Sequence, residues 1–224
     1  YRTEAYILLG YLYDKKNKKK ASFKCFQKAK ELSSLSNNIK TELISMYNIS
    51  IMYWKRYSNI EKTLTYTKNV ISLAKKLGFL TIETVSIINY ARMLSEIQSN
   101  HEAYEYAKEA ENKILDNNMV MLKIPCITTL MEITQNLSRY KEFCEYRKEY
   151  IKTVRENKKK SANQHNCVFY VIMARMYQEF GYTNKAIVCL QRSIKLKKHL
   201  PDHQLFIVYF MLETLRIIQR KKSD

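Results

Sequence analysis

The chain has 224 residues, 46% of them hydrophobic, and a formal net charge of +18. Its hydrophobic content excludes global disorder, and its three glycines and two prolines are too few for the turns of a β-sandwich or a doubly wound α/β fold. Apolar residues recur at three- and four-residue spacing almost throughout. The composition and the pattern together predict an all-α chain.

The first two predicted helices carry large and small residues at regular spacing. The spaced residues are Tyr6, Leu9, Gly10 and Tyr13, followed by Ser22, Phe26 and Ala29. We take Gly10 as a register mark, and equivalent positions recur at intervals of about 40 residues. These equivalents are Ser50, Ala91, Met131 and Ala174. A repeated pair of helices is therefore predicted.

The spacing predicts five helix pairs and a final helix within a single domain that covers residues 1–224. The pairs are expected at about residues 3–38, 41–79, 82–118, 122–159 and 165–199, with a capping helix at about 202–222. The fourth pair fits least well, because Met131 stands where a small residue would let two helices approach. A non-repeating helical bundle is the alternative, and the near-constant spacing of the five marks argues against it.

The motif resembles the tetratricopeptide repeat, and the resemblance covers about Thr3 to Ser193. It implies a right-handed α-solenoid that binds proteins or peptides, and it carries no information on catalysis. The long units, with joints such as "AKKLGF" at Ala74 to Phe79, are similar to sensor and interaction domains of bacterial regulators, which would imply an effector domain outside this chain. The carboxylate clamp of chaperone-binding members looks absent, since Ile7 and Tyr11 occupy its positions.

The lysine runs are predicted to lie in solvated turns. Lys15 to Lys20 fall between the first two helices, Lys158 to Lys160 between the fourth and fifth units, and Lys195, Lys197 and Lys198 near the end of the fifth. These runs contain no aromatic residue, and a solenoid places them on different edges, whereas a nucleic-acid site combines a basic face with stacking aromatics. The net charge still keeps a nucleic-acid-associated helical-repeat protein as an alternative function.

No pattern of catalytic or metal-binding residues stands out. Glycine-rich phosphate loops, HExxH and GxSxG motifs are absent from the sequence. His199, Asp202 and His203 are candidate metal ligands, but Pro201 favours a solvated turn there, and His101 and His165 are expected in turns without a partner. We predict that the chain is not an enzyme and has no metal site and no cofactor.

The five cysteines are isolated and odd in number, without a Cys-x2-Cys motif: Cys25, Cys126, Cys144, Cys167 and Cys189. This pattern favours buried thiols in a reducing compartment, and we expect core positions for Cys144 and Cys189. No apolar run approaches the roughly 18 residues of a membrane span. We therefore expect a cytoplasmic protein, and, because the sequence opens at Tyr1 within a predicted helix, part of a longer one.

The resemblance implies that the first helix of each unit lines a groove for an extended peptide or a partner helix. The predicted groove residues are Tyr11, Tyr47, Asn48, Trp54, Lys55, Asn89, Arg92, Glu132, Gln135, Arg175 and Gln178. Asn48 and Asn89 occupy the same position in consecutive units, and their amides could hold a peptide backbone. Arg92 and Arg175 could pair with a carboxylate, and Trp54 could form an aromatic wall. The alternative is that the asparagines are solvated or capping and that Trp54 is core.

Three functions follow from these patterns. The first is a module that binds a protein or peptide partner in its groove, as the sensor or scaffold part of a regulatory protein. The second is the nucleic-acid-associated protein. The third is a self-assembling scaffold, in which the final helix forms a homodimer through exposed Phe206, Tyr209 or Phe210.

Overall fold

A computed structural model describes residues 2–57, 60–156, 162–196 and 202–220. Within these ranges the chain forms helices and short turns and no strand, which confirms the all-α prediction. The helices are α1 Arg2–Lys15, α2 Lys19–Leu35, α3 Ile39–Tyr57, α4 Ile60–Lys76, α5 Leu80–Glu96, α6 Asn100–Asp116, α7 Val120–Asn136, α8 Tyr140–Glu156, α9 Ala162–Glu179, α10 Thr183–Lys195 and α11 Asp202–Arg220.

The helices group into two compact units, Tyr1–Met119 and Val120–Asp224. In the N-terminal unit each of α1 to α5 packs on the next helix, and α3 also contacts α1 and α5. In the C-terminal unit α7 packs on α8 and α9, and α10 lies between α9 and α11. Successive helical hairpins whose first helices touch are the arrangement of a right-handed α-solenoid, as predicted. The single domain with its five unit boundaries stays a prediction.

Seven of the connections among the described helices have the same geometry, a three-residue turn whose middle residue has a positive φ. These middle residues are Asn17, Asn37, Gly78, Gln98, Asn118, Ser138 and Gly181, with φ from 49° to 72°. In the first turn the Lys18 N–H donates to the Tyr13 carbonyl at 2.8 Å and the Asn17 N–H to the Asp14 carbonyl at 2.9 Å. This pair of hydrogen bonds is a Schellman motif, which satisfies carbonyls that the helix end leaves free.

The seven turns explain how a chain with so few glycines makes so many helix ends. Three of the middle residues are asparagines, which tolerate the left-handed conformation better than most side chains. The glycines at positions 78 and 181 adopt it without strain. Gln98 and Ser138 adopt the left-handed conformation less readily, so the turn after α5 and the turn after α7 store backbone strain.

The two helices of the first hairpin approach closely at the first register mark, Gly10. A Cβ atom added to Gly10 would lie 2.6 Å from Phe26 Cε1, so only glycine fits against this ring. The Ser22 hydroxyl donates to the Gly10 carbonyl at 2.9 Å across the same contact. The equivalent residues Ser50, Ala91 and Ala174 are buried. Met131 is fully buried too, so α7 accommodates a large side chain at the fourth mark.

Two predicted positions are wrong. Cys144 is exposed, because α8 turns Phe143, Tyr146 and Tyr150 towards its neighbours and position 144 away from them. The other four cysteines are buried as expected, and burial raises the pKa of the Cys25, Cys167 and Cys189 thiols. His101 lies in the first turn of α6 rather than in a loop, because that helix already begins at Asn100.

The first lysine run forms less of a turn than predicted. Lys15 ends α1, and Lys19 and Lys20 begin α2, because lysine is a good helix former; only residues 16–18 form the turn. Lys158 to Lys160, Lys197, Lys198, His199 and Pro201 lie outside the described residues, as do the side chains of Asp202, His203 and His165. Over the part of the chain that is described, no group of three or more metal-ligating side chains occurs, and no helix is long and apolar enough to cross a membrane.

A partly buried ion pair joins α5 to α6. Glu83 is 4% exposed, and its Oε1 lies 2.8 Å from Lys113 Nζ. Lys113 Nζ also lies 3.7 Å from Glu109 Oε1 on its own helix. The close contact with the Glu83 carboxylate is the main reason that the pKa of Lys113 is raised above its usual value. The pair therefore holds the start of α5 against the end of α6.

Removing the cation alone should destabilise the hairpin. Lys113→Met leaves the Glu83 carboxylate buried without its partner, and we expect a loss of about 2–4 kcal/mol in the free energy of unfolding, measured by urea denaturation at neutral pH. The double variant Glu83→Gln/Lys113→Met, which removes both charges, should regain most of this loss. A single variant as stable as the wild type would show that the ion pair carries no stability.

The same pair predicts a sign for the pH dependence. Because folding raises the pKa of Lys113, the contribution of its charge is fully present below the usual value of 10.5 and is lost as the pH rises through the higher folded value. The stability difference between the wild type and Lys113→Met should therefore shrink above that pH. An unchanged difference in strongly alkaline solution would contradict this assignment.

Relieving the strained turn should have the opposite effect. Gln98→Gly removes the side-chain penalty of the left-handed conformation, and we expect a gain of about 0.5–1 kcal/mol in the free energy of unfolding after the entropy cost of glycine. Asn118→Gly is the matched control, since asparagine tolerates this conformation and the gain should be smaller. A loss of stability in Gln98→Gly would show that the side chain stabilises the turn.

Candidate functional site

Among the first helices of the N-terminal unit, α3 contacts both α1 and α5. We call the surface that they form together the first-helix face. Helices α1, α3 and α5 carry seven of the predicted groove residues: Tyr11, Tyr47, Asn48, Trp54, Lys55, Asn89 and Arg92. The first helices of the C-terminal unit, α7 and α9, carry the other four, Glu132, Gln135, Arg175 and Gln178.

Two asparagines link neighbouring first helices through tyrosine hydroxyls. The Asn48 Nδ2 on α3 donates to the Tyr11 hydroxyl on α1 at 3.0 Å, and the Asn89 Nδ2 on α5 donates to the Tyr47 hydroxyl on α3 at 2.8 Å. Asn48 Nδ2 also donates to the Ile44 carbonyl at 2.7 Å. The two tyrosine–asparagine pairs form a polar row across the three helices.

The row retains hydrogen-bonding capacity after these contacts. The Tyr11 and Tyr47 hydroxyls accept through oxygen, so each still has its own O–H to donate. The amide oxygens of Asn48 and Asn89 are acceptors one helix apart. In the Tyr11–Asn48 pair the phenol of Tyr11 is exposed and the amide of Asn48 is buried beneath it.

Electrostatics at the middle of the row favour the neutral phenol. Burial raises the pKa of the Tyr47 hydroxyl, while the hydrogen bond from Asn89 and the charge of Arg92 partly oppose this shift. Tyr47 therefore remains a neutral donor at physiological pH. The guanidinium of Arg92 adds a positive charge close to Tyr47 and Asn89, where an acidic group could be held.

A second type of contact between first helices involves glutamates. The Trp54 Nε1 on α3 donates to Glu96 Oε2 on α5 at 2.6 Å. In the C-terminal unit the Gln135 Nε2 on α7 donates to Glu179 Oε1 on α9 at 3.1 Å, and the Tyr140 hydroxyl contacts Glu179 Oε2 at 3.3 Å. Trp54 and Gln135 both stand four residues after a register mark, and both glutamates stand five residues after the next one. The same inter-repeat contact thus occurs once in each unit.

The predicted site residues fall into three groups. Asn48 with Tyr11, and Asn89 with Tyr47, are brought together, and Arg175 lies 3.6 Å from Glu132, so its charge is already paired. Trp54 is half-buried and hydrogen-bonded, which makes it neither a core residue nor a free wall. Gln178 is exposed on α9, and the side chain of Lys55 lies outside the described part of the chain.

Sequence reasoning missed the two glutamates and Tyr140. Glu96 and Glu179 have the same offset from Ala91 and Ala174, so the register could have identified them as equivalent. Their partners could not be identified in this way, because Trp54 and Gln135 share a position but no chemistry beyond an N–H donor.

Two parts of the sequence match a family model described as "Tetratricopeptide repeat", residues 3–34 and 169–199. The first part covers α1 and α2, and the second covers most of α9 and all of α10. No curated protein matches the chain in sequence.

Solved structures with a similar fold cover nearly the whole chain. Aspartyl phosphate phosphatase F from Bacillus subtilis has 11% identity and a TM-score of 0.68, and the match covers 96% of this chain and 61% of that one. A Rap protein complexed with competence and sporulation factor has 14% identity and a TM-score of 0.69, covering 99% and 64%. The Rap conjugation gene regulator of the plasmid pLS20, in complex with a peptide, has 13% identity and a TM-score of 0.68, covering 97% and 64%.

These similarities establish the fold. At such low identity they carry no residue roles, and the chain spans less than two thirds of the length of each of the three proteins. Together with the repeat matches at both ends of the sequence, they show that the chain is a tetratricopeptide-like helical-repeat protein.

The contact between Trp54 and Glu96 can be tested with the only tryptophan of the chain. Glu96→Ala removes the acceptor, so the indole should become more mobile and more hydrated, and its fluorescence emission should shift to longer wavelength. Glu105→Ala, which removes an exposed carboxylate of α6, is the control and should leave the emission unchanged. Identical spectra for the wild type and Glu96→Ala would show that the contact does not form in solution.

Proposed function

We propose that the chain is the peptide-binding part of a regulatory protein, and that an extended peptide binds along the first-helix face of the N-terminal unit. The observation that carries this proposal is the polar row of Tyr11–Asn48 and Tyr47–Asn89. It repeats the same pair of groups at the spacing of the first helices. A ligand with repeating polar groups, such as a peptide backbone, matches such a row.

Dimensions support a short extended peptide. Packed helices lie about 8–10 Å apart, and an extended chain advances about 3.3 Å per residue. One helix spacing therefore corresponds to about three residues, and the distance from α1 to α5 to about six. The tyrosine hydroxyls would donate to peptide carbonyls, and the amide oxygens of Asn48 and Asn89 would accept from peptide N–H groups. Side chains of the peptide would then decide specificity.

The cationic groups favour an acidic residue or a free C-terminus on the peptide. Arg92 lies close enough to the row for its charge to act on the Tyr47 hydroxyl. We therefore assign the carboxylate-binding role to Arg92 on α5. Trp54 and Lys55, near the end of α3, would contribute to the same site. Glu132, Gln135, Arg175 and Gln178 would make the corresponding contacts for a partner segment on the C-terminal unit.

The fold neighbours support an interaction role. Two of them are Rap proteins solved with a bound peptide or factor, which shows that this fold accommodates such ligands there. One neighbour is named a phosphatase, but a likeness at 11% identity extends to the fold alone. We infer a non-enzymatic module that acts in the cytoplasm, where free thiols such as those of Cys25 and Cys189 stay reduced.

The positive charge supports a second candidate, weak association with RNA or DNA. Lys15, Lys16 and Lys18 to Lys20 are all exposed around the first turn. Such binding would be electrostatic and would fall steeply with salt, whereas peptide recognition by amides and phenols would not. Titrations at low and physiological salt therefore separate the two functions.

The peptide-binding proposal is tested with peptides of about six residues selected from a random library for binding to the full chain. For a selected peptide we expect Asn48→Ala/Asn89→Ala to raise the dissociation constant roughly 5- to 150-fold, since each of the two lost hydrogen bonds is worth about 0.5–1.5 kcal/mol. Isothermal titration calorimetry measures the effect, and circular dichroism confirms that the variant is folded.

The matched control is Asn117→Ala. Asn117 is an exposed asparagine whose Nδ2 donates only to the Lys113 carbonyl at 2.9 Å, so its removal should leave peptide affinity unchanged. Arg92→Gln should weaken acidic peptides more than neutral ones. Equal affinities for the wild type and the double variant, or no selected peptide at all, would overturn the proposal.

A further inference from the structure

The basic residues of the N-terminal unit are divided unevenly between its first and second helices. The first helices α1, α3 and α5 carry six basic and five acidic residues, so their charges nearly cancel. The second helices α2 and α4 carry nine lysines, no arginine and two glutamates. The structure describes every side chain of α2 and α4, so the excess of positive charge belongs to both helices as a whole.

Six exposed lysines of α2 and α4 form a patch that we call the basic face. Its members are Lys20, Lys24 and Lys28 on α2 and Lys68, Lys75 and Lys76 on α4. Those on α2 are spaced four residues apart and those on α4 by about two helical turns, so each set follows one side of its helix. The Lys30 Nζ on α2 lies 5.8 Å from the centre of the Tyr66 ring on α4, which places the two helices side by side.

The basic face points away from the rest of the unit. Phe26 and Ala29 on α2, and Val70 and Ala74 on α4, are buried on the opposite sides of these helices. Because the repeats of a solenoid stack side by side, a further repeat at either end would extend this surface and would not cover it. Its boundary within the unit is α6, the next second helix, which carries five acidic residues and only two lysines.

The composition of the basic face differs from that of a surface that binds proteins or membranes. Protein interfaces are rich in aromatic residues and arginine and poor in lysine. Helices that lie on a membrane combine lysines with exposed apolar residues. α2 and α4 expose no aromatic side chain, and their exposed large apolar residues, Leu35 and Ile60, are terminal residues of the two helices. Phosphate groups are therefore the ligands that these lysines fit best.

Among phosphate-rich ligands, a nucleic acid duplex fits better than a single strand. Single strands are held by bases that stack on exposed aromatic rings, whereas Tyr66 is half-buried beneath Lys30. A duplex presents one phosphate charge per about 1.7 Å of its axis and needs no stacking partner. α2 and α4 have 17 residues each, so the basic face is about 25 Å long and can follow about seven base pairs.

We propose that the basic face binds the phosphate backbone of a nucleic acid duplex without reading its sequence. This inference rests on the second candidate function, association with RNA or DNA, and it locates the contact on α2 and α4 instead of the first turn. Lys28 already pairs with the exposed Glu31 at 2.9 Å, so the face supplies about five phosphate contacts. The logarithm of the association constant should then fall against the logarithm of the salt concentration with a slope of about −4 to −5.

Fluorescence anisotropy of the full 224-residue chain with a labelled DNA duplex of about 20 base pairs, from about 50 to about 300 mM salt, tests the proposal. An RNA duplex and a single strand of the same sequence are measured in parallel, and we expect both duplexes to bind more tightly than the single strand. Lys68→Gln/Lys75→Gln/Lys76→Gln should weaken duplex binding at least tenfold at low salt. It should also reduce the magnitude of the salt slope by about 2–3, because each lost phosphate contact removes about 0.9.

Two matched variants remove the same charge elsewhere. Lys141→Gln/Lys148→Gln/Lys152→Gln neutralises three exposed lysines of another second helix, α8, and should leave the slope unchanged. Lys15→Gln/Lys16→Gln/Lys18→Gln does the same at the first turn and should have a smaller effect than the α4 variant. Circular dichroism checks that each variant is folded, and peptide affinity should be the same in all of them, since the first-helix face is untouched.

The outcomes separate this inference from the function on which it rests. A wild-type chain that binds no duplex at low salt would exclude both. Duplex binding that the α8 or first-turn variant weakens as much as the α4 variant does would overturn the basic face alone. Tighter binding of the single strand, or equal competition by poly-glutamate at the same concentration of charge, would overturn the assignment of a duplex as the ligand.

Discussion

The close approach of the two helices at Gly10 is the constraint on which the repeat depends. In the first hairpin the ring of Phe26 on α2 packs directly against the backbone of Gly10 on α1, and this contact sets the distance between the two helices. Once this distance is set, the Ser22 hydroxyl reaches the Gly10 carbonyl, and the next first helix packs into the remaining groove. The small residues at later marks, such as Ala91 and Ala174, allow the same helix crossing. Met131 is fully buried at the fourth mark, so a larger side chain also fits there when its neighbours pack around it.

The turns transmit this geometry from one hairpin to the next. Because the described three-residue turns share a positive φ at the middle residue and the same pair of hydrogen bonds, the helices before them end in the same way whatever side chain occupies the middle position. The sequence can therefore vary at the turns as long as one residue tolerates a positive φ. The strain at Gln98 and Ser138 is the cost of this uniformity, and it falls within α5–α6 and α7–α8.

The fold was predictable because it depends on spacing, and much of the site was not, because it depends on partners. Five register marks were enough to predict helix pairs, and the joint that contains Gly78 was visible in the sequence. The position of Asn48 on a first helix followed from the same register. The register did not predict that the Asn48 amide donates to the Tyr11 hydroxyl and to the Ile44 carbonyl. Such hydrogen bonds depend on side-chain rotamers, which the repeat pattern does not specify. The wrong core position of Cys144 has a related cause: a rotation of α8 by about one residue, or 100°, separates a buried position from an exposed one.

The polar groups proposed to bind a peptide are the same groups that join neighbouring repeats, and this has a consequence for mechanism. A peptide that accepts from the Tyr11 and Tyr47 hydroxyls leaves their contacts with Asn48 and Asn89 in place and adds to them, because each phenol can donate and accept at once. Binding of this kind strengthens the links α1–α3 and α3–α5 together. A ligand that competes for the asparagine N–H groups would instead loosen those links. Which partner of each tyrosine–asparagine pair the ligand contacts therefore decides whether binding strengthens or loosens the packing of the repeats. The polar row favours strengthening, because both Asn48 N–H groups are already used within the fold.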